Sequence, residues 1–311
     1  MVDAKANTAV RLKRSKNMTQ TSLPSQRPPK PDRLLETLSQ KQVPSLPSGA
    51  IYLLNSLSDE NINIVQTARI VGQFPAIAGR LIALANSAWS SPVSTISSLD
   101  AACSRLGFSV VRSTSIALAV AAPFNASRCP NFSMEWFWSD SLMTAEAASL
   151  LTEEASLVDG IGPSTARTAG LLHNLGLLWL ADQLPDDVDQ ALSIVKESQS
   201  SSIRQALSTL LGFNHSEAGG YLGRAWNLPE PLVTAMAHHA EPEYKEPHWE
   251  TASLIGVAAS IVVAVRQDQD WPERKISVER LGINPSAAEK VFLQIKPQYE
   301  RILDLAKTLF G

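Results

Sequence analysis

An all-α fold, arranged as a two-lobed helical bundle, is predicted for this 311-residue chain by three observations. Apolar residues recur at spacings of three and four, and period-two alternation is hard to find. Many of these runs are bracketed by capping or stopping residues. The connections between them are short, as neighbouring antiparallel helices require. A hydrophobic share of 44% and a charged share of 18% fit a globular chain long enough for one large domain or two ordinary ones.

Residues 1–32 hold a basic cluster, Arg11, Lys13, Arg14 and Lys16, followed by "LPSQRPPKP", with little to bury. They read as a disordered basic, proline-rich tail. Helical signals begin after it. "PSGAIYLLNSL" places Ile51, Leu54 and Leu57 on one face. "NIVQTARIVGQFP" stops at Gly72, and Pro75 can open the next helix, where Ile77, Leu81, Leu84 and Ala88 keep helical spacing. "SSLDAACSRLG" begins with Ser97 and Asp100 in a capping-box relation and closes on Gly107, and "FSVVRSTSIALAVAA" follows. Residues 33–125 thus form an N-terminal helical lobe. A second lobe, 126–245, starts at aromatic-rich "NFSMEWFWSDSLMTAEAASLL" and runs through "AGLLHNLGLLWL" to "PLVTAMAHHA". Residues 246–311, with "ETASLIGVAASIVVAVRQ" and two tail helices around Pro285, complete that second lobe.

Several classes of function are disfavoured. A net charge of −3 and a pI near 6.0 argue against nucleic-acid binding. Two cysteines, Cys103 and Cys129, suit a reducing compartment and cannot build a zinc site alone. The longest apolar run, Leu254 to Val265, is interrupted by Gly256 and Ser260 and reads as a core helix rather than a membrane span. With no apolar segment after the N-terminal basic cluster, a secretory signal is not expected and the chain reads as cytoplasmic. "LVDGIG" and "AGGYLG" follow no strand, so neither reads as a nucleotide loop. Ser104 and Ser109 have no histidine in any motif with them, Glu153–Glu154 and Asp186–Asp187 read as solvated or helix-start charges, and Trp136, Phe137 and Trp138 as packing between lobes.

The polar pair His173–Asn174 inside the apolar run 169–180 is the main chemical signal. All five histidines, His173, His215, His238, His239 and His248, lie in the second half. Histidines gathered from several helices of a bundle are how helical metal sites are made.

The order of segments resembles the HD superfamily, and more closely its HDOD branch, the HD-related output domain of bacterial signalling proteins. The carriers are "WSDSLMTA", "GLLHNLG", "HSEAGGYL" before "WNLP", and "AHH", with "PSLP", "FPAIAGRLIALANSAW" and "ISSLDAACSRLG" in the first lobe. "ANSA", residues 85–88, is the most specific piece. The resemblance spans about residues 40–245. Phe74 stands where the family usually has an aspartate before the proline, which marks a divergent member.

In active HD phosphohydrolases the metal ligands are a first histidine, the His-Asp pair and a distal aspartate. The matching positions here are Asp140, His173 with Asn174, and Ala259, so three of those four ligands are changed. His215, His238 and His239 match histidines that metal-rich relatives use as extra ligands. A divalent ion in a low-dielectric site needs anionic oxygens, and Asn174 offers a neutral carbonyl while Ala259 offers nothing. The resemblance therefore implies a vestigial site without cofactor or metal, in which His173, Asn174, His215 and His238 converge and His239 lies at the edge. It implies a non-catalytic signalling or scaffolding module that acts in trans on sensor kinases, diguanylate cyclases, phosphodiesterases or response regulators. The alternative is a metal-dependent phosphohydrolase or phosphodiesterase with an atypical site of Asp140 and histidines.

Overall fold

The computed structural model describes Thr37 and residues 43–310 apart from 58, 60, 88–89, 91, 93, 156–160, 199–201 and 272–274. The tail expected at 1–32 and the position of Ala88 lie outside the described residues. Among those described there are helices and no strands.

The first lobe is built from α1 (Ser48–Leu57), α2 (Ile64–Val71), α3 (Pro75–Ala85), α4 (Leu99–Leu106) and α5 (Phe108–Ala121). Local chemistry sets their ends. Asn63 caps α2 in a reciprocal box with Gln66, and Pro75 opens α3. The cap of α4 is Ser98, whose hydroxyl accepts from the Ala101 amide at 3.2 Å, one residue later than the expected Ser97. Asp100 falls in the first turn, where its charge favours the helix dipole. The buried face of α1 is Ala50, Leu53, Leu54 and Leu57, while Ile51 is 43% exposed. Leu54 and Leu57 thus lie inside as expected, and Leu53 takes the place of Ile51. Phe74 provides no side-chain cap for α3; its ring packs near Tyr52, with centroids 6.2 Å apart.

The second lobe comprises α6 (Met134–Glu154), α7 (Pro163–Leu172), α8 (Leu175–Gln183), α9 (Pro185–Glu197), α10 (Ile203–Leu211), α11 (His215–Ala225) and α12 (Glu230–His238). After it come α13 (Trp249–Arg266), α14 (Lys275–Arg280), α15 (Pro285–Ile295), a short 3₁₀ turn (Lys296–Gln298) and α16 (Tyr299–Phe310). The tail beyond α13 thus holds one more helix than the sequence suggested. Long α6 is the spine: α7, α13, α15 and α16 all pack on it. By length and composition α13 could cross a membrane, since as a folded helix it runs past the apolar stretch to its full 18 residues. It is instead a core helix, packed on α6, α7 and α12 with twelve buried residues.

The lobes are joined in several places. The connection 122–133 is held by Asp182, which accepts from the Asn125 amide, and by Asp189, which accepts from the Asn131 amide at 2.7 Å. The Trp226 indole donates to the Pro44 carbonyl at 2.7 Å. Helix α16 reaches both lobes. Phe310 stacks on buried Trp138 with centroids 4.8 Å apart, and Arg80 of α3 donates to the Leu309 carbonyl. Phe137 and Trp138 are therefore packing residues, whereas Trp136 is 52% exposed.

Candidate functional site

The apolar run 169–180 is two helices rather than one. Helix α7 ends at Leu172 and α8 starts at Leu175, with His173 and Asn174 in the turn between them. Glycines on both sides of the turn fix its position. A Cβ at Gly170 would lie 2.8 Å from Ala145 Cα, so α7 rests backbone to backbone on α6. A Cβ at Gly176 would overlap the His215 carbonyl oxygen and the Gly219 amide, and lie 2.8 Å from Gly219 Cα. That close crossing of α8 and α11 carries His215 to His173. "AGGYLG", set aside above as a nucleotide loop, is the other half of this helix crossing.

His173, His215 and His239 form the cluster. The rings of His173 and His239 meet edge to face at 4.9 Å, and those of His215 and His239 lie 6.4 Å apart. All three are buried. His173 Nδ1 lies 2.7 Å from the Gly170 carbonyl and His239 Nδ1 lies 3.0 Å from the Ala235 carbonyl. A carbonyl only accepts, so in each ring Nδ1 carries the proton and Nε2 is left with its lone pair. Burial drives the imidazoles toward neutrality, to a pKa of about 4 for His173 and about 3 for His215, with His239 also held well below its ordinary value. Mutual repulsion and the nearby Arg204 guanidinium add to the effect for His215 and His239. Several polar atoms here are buried without a hydrogen-bond partner: His215 Nδ1, Asn174 Oδ1 and Arg204 Nε.

His238 does not join them, contrary to expectation, and His239 takes the inner place. Helix α12 is buried around most of its surface, at Leu232, Val233, Thr234, Ala235, Met236 and Ala237, and its two histidines part only at its end. His238 points outward, stacks on Tyr244 at 4.0 Å and sits 3.1 Å from a Glu241 carboxylate oxygen. Arg204, which the sequence reading missed, donates to Glu241 at 2.9 Å and to the Ala240 carbonyl at 3.3 Å, tying α10 to the end of α12.

Asp140 also departs from its expected role. It is paired with Arg266 of α13 at 2.8 Å, while its second oxygen is buried without a partner. Burial lifts its pKa to about 6 against the lowering pull of Arg266. The ion pair with Arg266 is the charged contact that the Asp140 carboxylate makes. Ala259 is half-buried on α13 and has no ligand atom to offer. His248, with φ 64°, precedes α13 at the surface.

The metal pair of HD phosphohydrolases does not fit these residues. Neutral imidazoles with free Nε2 atoms are competent donors, but the cluster supplies no carboxylate to offset a divalent charge. Among the described residues, no group of three or more histidine, cysteine or acidic side chains is arranged to hold a metal ion.

The sequence matches the HDOD domain family over residues 43–242. A Treponema pallidum protein of uncharacterised function is 22% identical over 218 residues, which is 70% of this chain but only 41% of that protein. The fold matches a provisionally named signal transduction protein of Marinobacter aquaeolei at TM-score 0.76 and 20% identity, covering 90% of this chain and 65% of that one. It also matches an HDOD domain protein of unknown function from Geobacter sulfurreducens (TM-score 0.67, 20% identity, 89% and 97% covered). A third match is a provisionally named phosphohydrolase of Shewanella amazonensis (TM-score 0.65, 22% identity, 89% and 98% covered). The chain thus spans less than two thirds of the length of the Treponema and Marinobacter proteins.

Proposed function

The chain belongs to the HDOD family, and on that premise we propose that it is a non-catalytic signalling module that works by binding other proteins. The observation that carries this reading is the engagement of Asp140 by Arg266. The one carboxylate among the HD-matching positions, Asp140, is spent on Arg266, and the His-Asp pair has become His173–Asn174 with the Asn174 oxygen buried and unpartnered. Hydrolysis of a phosphoester in this superfamily depends on a Lewis acid and an activated water, and both depend on anionic ligands that this cluster lacks. The buried histidines then serve as polar packing at the junction of α7, α8, α11 and α12. In this reading the chain is cytoplasmic, and its partners are sensor kinases, diguanylate cyclases, phosphodiesterases or response regulators engaged in trans. The competing reading is a metal-dependent phosphohydrolase or phosphodiesterase with an atypical site of Asp140 and histidines, and the fold it would need is shared with a provisionally named phosphohydrolase.

Metal analysis after purification without chelator, paired with a phosphodiesterase assay in added manganese, separates the two. The module reading expects substoichiometric metal and no turnover of cyclic dinucleotides or nucleoside phosphates. A full equivalent of bound metal with metal-dependent turnover would overturn it.

A further inference from the structure

Helix α1 turns Ser48, Ile51, Tyr52 and Asn55 outward, an i, i+3, i+4, i+7 stripe that would ordinarily be polar. Its centre is apolar instead, with Ile51 and Tyr52 both 43% exposed. Half-buried Phe74, between α2 and α3, sets a second ring beside Tyr52, and Gln73 Nε2 donates to the Tyr52 hydroxyl at 3.5 Å. The Phe74 ring lies against the bare backbone of Gly49, where an added Cβ would stand 2.5 Å from its Cε1. Phe74 also takes the N-cap position of α3 without capping it, where a serine or aspartate would add about 1 kcal/mol. The chain forgoes that local stability and keeps an aromatic pair at the surface.

The chain upstream supplies an occupant of matching chemistry. Residues 24–31, "PSQRPPKP", place Pro28 and Pro31 three apart, the spacing by which proline-rich peptides dock on aromatic-lined surfaces. Proline fixes its own φ, so such a segment loses little backbone entropy on binding. Arg27 and Lys30 lie among the prolines, and Asp59 is exposed just past the end of α1. The wider charge has the same sense. Residues 1–42 hold nine basic and three acidic side chains, and residues 43–311 hold eighteen and twenty-seven, so the leading segment and the body attract. The reach is sufficient. From Pro31 to Val43 the chain can span up to about 40 Å. Val43 lies five residues before α1 and Tyr52 one turn into it, so the face is within about 25 Å of Val43.

We propose that the outer face of α1, with Ile51, Tyr52 and Phe74, is the docking surface for residues 24–31 of the same chain. A tether of this length holds the segment at an effective concentration on the order of 1 mM. A contact with a Kd of about 0.2 mM between separate pieces is then formed about five-sixths of the time. The face is covered in cis, and any partner that uses it must first displace the segment. This contact is independent of any chemistry at the histidines.

Photocrosslinking in the full chain tests this, with p-benzoylphenylalanine in place of Tyr52 and isotope-labelled chain mixed with unlabelled. Mass-spectrometric mapping should find position 52 joined to residues 24–31 of the same chain. Pro28→Ala together with Pro31→Ala should lower that yield about 5-fold, as the docked fraction is lost. The same photoreactive residue in place of Trp136, exposed on the second lobe, should not capture the segment. Tryptic digestion of the chain without the photoreactive group gives a second reading. The bond after Arg33 lies two residues past Pro31, and Tyr52→Ala should speed its cleavage about 5-fold with helix content unchanged. No crosslink from position 52 to residues 24–31, crosslinks that join labelled to unlabelled chains, equal capture from position 136, or cleavage after Arg33 at the parental rate would each overturn the proposal.

Discussion

Replacing Gly176 by alanine puts one methyl group where α8 crosses α11. The new Cβ would overlap the His215 carbonyl oxygen and the Gly219 amide, and stand 2.8 Å from Gly219 Cα, where ordinary contact begins near 3.4 Å. Each of these obstacles is backbone, so no side chain can swing aside and the helices must part. Overpacking of this kind costs about 3 kcal/mol or more, at the upper end of its usual range. The gain in helix propensity on losing a glycine returns at most about 1 kcal/mol, and less at the second residue of a helix. The net loss is about 2 kcal/mol or more, a fall in melting temperature of roughly 3–4 °C or more for a chain of this size. Gly79 is the internal control. It lies mid-helix in α3, exposed, with nothing within 4 Å of an added Cβ, so Gly79→Ala should stabilise by about 0.5–1 kcal/mol. Urea unfolding of both variants beside the parent measures the difference. A Gly176→Ala protein as stable as the parent, or the same sign for both substitutions, would refute the packing argument.

Acid should weaken the fold through the histidine cluster. His173 and His215 titrate near 4 and 3 in the folded chain against 6.5 when free, so the unfolded chain binds more protons between these values. Stability is then full above pH 6.5 and falls as the pH drops toward 4. Asp140, raised to about 6, opposes this with one group, since its contribution is lost as pH rises through that value. Urea midpoints across pH 4 to 8 should therefore rise with pH, and a flat profile would show that the histidines are hydrated. Arg266→Met should cost about 1–3 kcal/mol by leaving the Asp140 carboxylate buried alone, the lower part of the range for a broken ion pair because both side chains keep some solvent contact. Adding Asp140→Asn should recover most of that loss in a double-mutant cycle. Additive costs would show that the pair is not coupled.

The fold was legible because helical periods and their stop signals are local properties. Gly72, Pro75 and Gly107 marked helix ends that the structure keeps. Errors arose where neighbours choose among equivalent local options. Ser97 and Ser98 are alike as caps, and only the position of α4 against its neighbours selects Ser98. The run around His173 is apolar throughout, so its periodicity could not reveal a helix break that depends on Gly170 and Gly176 meeting α6 and α11. At the site, His173 and His215 were legible from their segments. His238 and His239 are adjacent, about 100° apart on the helix, and α12 is buried around so much of its surface that its pattern does not choose between them. The partner of Asp140 lies 126 positions along the chain, and no local pattern announces such a contact.

The contact between Arg80 and the Leu309 carbonyl joins positions 229 residues apart, and the stack of Phe310 on Trp138 lies one residue beyond it. Most of the chain, including the whole second lobe, forms a loop closed by a single helical turn. Helix ends fray first, because their last carbonyls lack partners within the helix. Here that end is held from outside, by a guanidinium of one lobe and an indole of the other. One of the ties between the lobes thus runs through a turn that would open most easily if left alone. The last turn of the chain is therefore a clasp between the lobes rather than a loose end.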